Sequence, residues 1–97
     1  MTYIYGVGSL IPEDVRKYEM LNAQKILLRA KAEGKKKEAD EKFKLGDYKG
    51  AKLDLMDARH YIQDALQKVR QLGERGSSER TIQDEIESLW RKIISDD

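Results

Sequence analysis

The sequence predicts an all-α fold: an up-down-up three-helix bundle with long first and second helices and an extended N-terminal arm. Three observations predict it. Ala51, Leu55, Ala58, Ile62, Ala65, Val69 and Leu72 follow one another in alternating steps of four and three, which sets them in one stripe along a helix. Leu45-Gly46-Asp47-Tyr48 places a glycine suited to closing one helix beside an aspartate suited to opening the next. With 38% charged residues and a single proline in 97, the composition suits helices better than a β-sandwich.

Residues 1–11 (MTYIYGVGSLI) have strand-like composition loosened by Gly6, Gly8 and Ser9, and are read as an arm ahead of a bundle domain over 12–97. Pro12 suits a first helical turn, and Glu13 and Asp14 suit the positive end of a helix dipole. The first helix is expected from Pro12 to Leu45, with a core stripe of Tyr18, Leu21, Leu28, Ala32, Ala39 and Phe43 and a kink or break at Gly34. Between Met20 and Ala30 its apolar residues surround the helix, the pattern of a helix buried on more than one side. The second helix is expected from Tyr48 to Leu72, closed by Gly73, with a smaller patch of Leu53, Met56 and His60 opposite its main stripe. The third is expected from Glu79 to Ser95, capped by Ser77 or Ser78. Ile82, Ile86, Leu89 and Ile93 face its core and Trp90 flanks them.

A chain of this length builds one modest core. The absence of cysteine excludes a disulfide framework and thiolate metal sites, and fits a reducing cytoplasm. Apolar runs are too short to span a bilayer, and the N-terminus lacks the basic start and apolar run of a secretory signal. A formal net charge of +1 gives no global pull toward nucleic acid or membrane.

The Gly46-Asp47-Tyr48 turn, with Ala39, Ala51 and Ala58 at matching spacing and Leu55 as the bulky second-helix residue, resembles a tetratricopeptide hairpin. That family's first-helix tryptophan, closing proline and tandem copies are missing. Over residues 18–94 the chain also looks like the three-helix MIT domain, a peptide-binding module that needs only one copy. The lactose-type phosphotransferase IIA proteins share the Gly-Asp-aromatic turn followed by alanine. Their phosphorylated histidine lies on a third helix, and the third helix here has none, so that activity is not implied. These resemblances imply a helical hairpin and, for the MIT domain, recognition of peptides.

Chemistry-bearing residues are sparse. His60 is the single histidine, and Asp57, His60 and Asp64 share a helix face. Asp57-x-x-His60 has the spacing of a helical di-iron half-motif, but such sites need a second motif and further carboxylates, so a solvated surface histidine is the better reading. Gly6-Val7-Gly8 precedes a helix without a third glycine or a βαβ unit, and reads as a hinge rather than a phosphate cradle. One histidine and no cysteine cannot supply a nucleophilic triad. No enzyme activity and no cofactor are expected.

The expected function is therefore a non-enzymatic helical interaction or assembly module that self-associates through Met20, Ile26, Leu27, Leu53 and Met56. Its partner would be a second copy or another helical protein or peptide. The alternative is a nucleic-acid binder that grips phosphates through Lys31, Lys35, Lys36, Lys37, Lys42 and Lys44 as one basic face.

Overall fold

The computed structural model describes residues 13–96, which form α1 (Glu13–Lys44), α2 (Tyr48–Leu72) and α3 (Ser77–Asp96). The expected arm over 1–11, with its Gly6-Val7-Gly8, lies outside the described residues. Helix α1 opens with Glu13 and Asp14 and ends with Lys42 and Lys44, so charges oppose the helix dipole at both ends. Its 32 residues span about 48 Å. At Gly34, where the sequence leaves a kink or break open, α1 runs through as one helix. A single glycine in a helix with other good formers lowers stability without removing the hydrogen bonds on either side.

The turn between α1 and α2 follows from two residues. Gly46 takes a positive φ of 85°. Its N–H donates to Phe43 O at 3.0 Å, and the Asp47 N–H donates to Lys42 O at 2.8 Å. This double bond pattern satisfies the last carbonyls of α1 and requires the left-handed conformation that glycine adopts without penalty. The Asp47 carboxylate then accepts the Gly50 N–H at 3.0 Å and caps α2. A Cβ at position 50 would collide with that carboxylate, so the cap and the glycine belong together.

Helix α2 closes in the same way on Gly73, whose N–H donates to Arg70 O, while the Glu74 N–H donates to Val69 O. Helix α3 begins at Ser77, two residues earlier than expected, so neither Ser77 nor Ser78 is its cap. The residue preceding it is Gly76, at φ 69°. A Cβ there would stand 2.7 Å from a methyl of Val69, so the chain turns hard against the end of α2 and enters α3 at once.

Ala32 and Ala39 on α1, and Ala51, Ala58 and Ala65 on α2, are fully buried. Each set recurs every seventh residue, the spacing of an antiparallel helix seam, and their small side chains let the two backbones approach closely. Helix α3 supplies bulk instead, with Ile82, Ile86 and Ile93 in the same buried cluster as Leu55 and Ile62. Each such side chain taken out of water contributes about 1.5–3 kcal/mol. Every residue of the expected α2 stripe is buried except Leu72, which is half-buried, and Leu66 is buried as well. Helix α3 packs mainly on α2 and only lightly on α1. Arg29 meets Glu79 and Lys36 meets Glu85, so α3 runs parallel to α1 along its second half.

Candidate interaction surfaces

All five residues expected to carry contacts are exposed: Met20, Ile26 and Leu27 on α1, and Leu53 and Met56 on α2. The bundle does not gather them into one patch. Met20 and Leu27, seven residues apart, share a row on α1, while Ile26 lies about 100° around the helix from Leu27. Leu53 and Met56 stand on the outer side of α2, with the exposed His60 one turn on. The Met20–Ala30 segment is therefore buried on one side only in the single chain, through half-buried Leu21 and Leu28, rather than on several sides as its composition suggests. Leu27 and Leu28 line a shallow groove with Gln24 of α1 and Asp64, Gln67 and Lys68 of α2.

The lysine run is divided among three directions. Lys35 and Lys42 reach α2, with their ammonium groups 4.0 and 2.8 Å from the two oxygens of Asp54. Lys31 lies over the ring of Tyr61 at 5.6 Å. Lys36 turns to Glu85 of α3, and Lys44 pairs back to Asp40 at 3.1 Å. Lys37 has no ion pair among the described residues. The close contact with Asp54, which outweighs desolvation, holds the Lys42 ammonium above its ordinary value. A single basic face over 31–44 is thus absent from the fold.

Two acids that composition does not single out are buried. Asp54 is 6% exposed and sits between Lys35 and Lys42; Glu79 is 3% exposed and accepts from Arg29 Nη1 at 3.2 Å. A buried carboxylate is costly unless matched by a cation, so each fixes where a particular cation of α1 must lie. Their signal in the sequence is faint: Asp54 adjoins the apolar stripe of α2, and Glu79 stands one turn ahead of the α3 stripe. A third pair joins α2 to α3. Arg59 makes a two-pronged contact with Glu87, which holds the Glu87 carboxyl below its usual range and raises the guanidinium further.

No set of three His, Cys, Asp or Glu side chains converges on a metal position among the described residues, and Asp57, His60 and Asp64 remain an exposed helix face. A groove between α1 and α3 is open to solvent and carries mixed charge from Glu33, Lys36, Asp40, Asp84 and Lys92. No helix among the described residues is long and apolar enough to cross a membrane. Comparison with protein-family models, curated proteins and solved structures returned no match.

Proposed function

We propose that this chain is a non-enzymatic helical protein–protein interaction or assembly module that self-associates. The supporting observation is the apolar surface on the first half of α1. Val15, Tyr18, Met20, Ile26 and Leu27 are all between 44% and 60% exposed, so Tyr18, expected in the core stripe of α1, lies at the surface instead. Large apolar side chains left exposed on more than one side of a single helix are surface that a partner can cover. The partner is a second copy of the chain or another helical protein or peptide, which fits a hairpin of tetratricopeptide or MIT type with Ala39, Ala51 and Ala58 at its centre. A cysteine-free chain of this kind fits the cytoplasm.

The nucleic-acid alternative has less support, because most of the lysines it needs already have partners within the bundle. Multi-angle light scattering across micromolar concentrations tests the leading reading. The wild-type chain should exceed the mass of one copy, and Leu27→Glu should lower it with helix content unchanged. A wild-type chain that stays monomeric at the highest concentration overturns self-association.

A further inference from the structure

We infer that the outward row of α1 is the seam of a two-fold homodimer in which two α1 helices lie antiparallel. This rests on the self-association proposed above and names the surface that performs it. Met20, Ala23, Leu27, Ala30 and Gly34 follow in steps of three, four, three and four, and all five are exposed. They form a second complete stripe on α1, directed away from the buried Ala32 and Ala39. Ala23 and Ala30 repeat the seven-residue alanine spacing that draws α1 onto α2, and Gly34 has open space where a side chain would stand. The row is therefore shaped for close approach by another helix.

The occupant is identified by charge. A two-fold axis between Leu27 and Ala30 sets Leu27 of one copy against Ala30 of the other, and Ala23 against Gly34. The same register brings Arg16 level with Glu41 and sets Glu19 one residue along from Lys37 on the same flank of the interface, each pair occurring twice. Arg16, Glu19, Lys37 and Glu41 are all exposed and make no ion pair within the chain among the described residues. A row whose charges are complementary to its own reversed copy is the mark of an isologous contact. The row faces away from Ala32 and Ala39, with Leu27 at the rim of the α1–α2 groove and Lys37 at the rim of the α1–α3 groove. The row from Arg16 to Glu41 covers about 38 Å of helix, a length suited to an interface of about 800 Å² per partner.

Light scattering on charge and seam variants of the full chain tests this. Ala30→Glu should convert the dimer to monomer with circular dichroism unchanged, whereas Leu53→Glu on the outer face of α2 should leave it dimeric. Glu19→Lys should weaken the dimer by opposing like charges, and adding Lys37→Glu should restore it. The chain has no cysteine, so a mixture of Leu27→Cys and Ala30→Cys chains should form a mixed covalent dimer on mild oxidation. A dimer that survives Ala30→Glu and falls apart with Leu53→Glu overturns the seam while self-association stands. A wild-type monomer overturns both and leaves the row to a different helical partner.

Discussion

Arg59 and Glu87 meet edge to edge, with Nε 2.7 Å from Oε2 and Nη2 2.6 Å from Oε1, while the guanidinium lies 4.6 Å above the Trp90 ring centre. One planar group thus ties α2 to α3 through both a carboxylate and an aromatic face. The hydrogen bonds to Arg59 keep the Glu87 carboxyl below its ordinary value. A carboxyl depressed in the folded state stabilises the fold above its unfolded value, near 4.3 for glutamate. That contribution is lost as pH falls through the lower folded value. Glu87→Gln should therefore reduce the stability lost between pH 7 and pH 3. The difference should stay below about 1 kcal/mol because both side chains are a third exposed. Urea titrations at the two pH values, followed by Trp90 fluorescence, measure it; an unchanged acid loss in the variant counts against the pair.

Core packing gives a larger effect. Leu55 and Ile62 are fully inaccessible to solvent, so Leu55→Ala and Ile62→Ala should each cost about 2–5 kcal/mol in chemical denaturation. Leu53→Ala, on the exposed side of the same helix, should change stability by no more than about 0.5 kcal/mol. Equal losses at positions 53 and 55 would contradict the orientation of α2.

Two glycines should respond in different ways. Gly76→Ala forces a methyl toward Val69 at a positive φ and should destabilise the chain by more than about 1 kcal/mol. Gly50→Ala displaces the Asp47 cap while improving helix propensity, two effects of about 1 kcal/mol each that oppose one another. It should be near neutral in the wild type and stabilising in Asp47→Ala. Thermal melts of the four-member cycle read that coupling directly; additivity across the cycle would show that residue 50 does not act through the cap.

Duplex DNA should not shift in a gel at low salt in the presence of this chain. A complex whose affinity fell with a log–log slope of about −0.9 per neutralised phosphate, and that Lys35→Glu with Lys36→Glu and Lys37→Glu abolished, would reinstate the basic run as the functional surface.

Helix α2 was readable from its residues because a strict four-three stripe bounded by turn residues leaves few alternatives, and its caps form at Asp47 and Gly73, with Gly46 closing α1 just before it, as local chemistry requires. The start of α3 was harder. Ser77 and Ser78 are good caps in isolation, but close packing of Gly76 on Val69, seven residues back, moves the boundary. The burial of Asp54 and Glu79 was hidden because hydropathy places acids at the surface and their cations come from another helix. For the same reason the lysine run looked like one free face: Lys36 is paired by Glu85, 49 positions away. The outward row of α1 was visible only as apolar residues on all sides, since two opposed stripes on one helix cancel any single direction.

The alanines at 32, 39, 51, 58 and 65 have a consequence for how the chain tolerates change. Side chains that add almost no surface set the gap between two long rods, so a larger residue at any one of them acts as a wedge. Its effect is not confined to its own turn: forcing α1 from α2 at Ala39 also lifts Lys42 from Asp54, and α3, seated mainly on α2, moves relative to α1 with it. The smallest residues in the core are therefore the least replaceable, and the bulkier isoleucines of α3 have more freedom to exchange for one another's shapes.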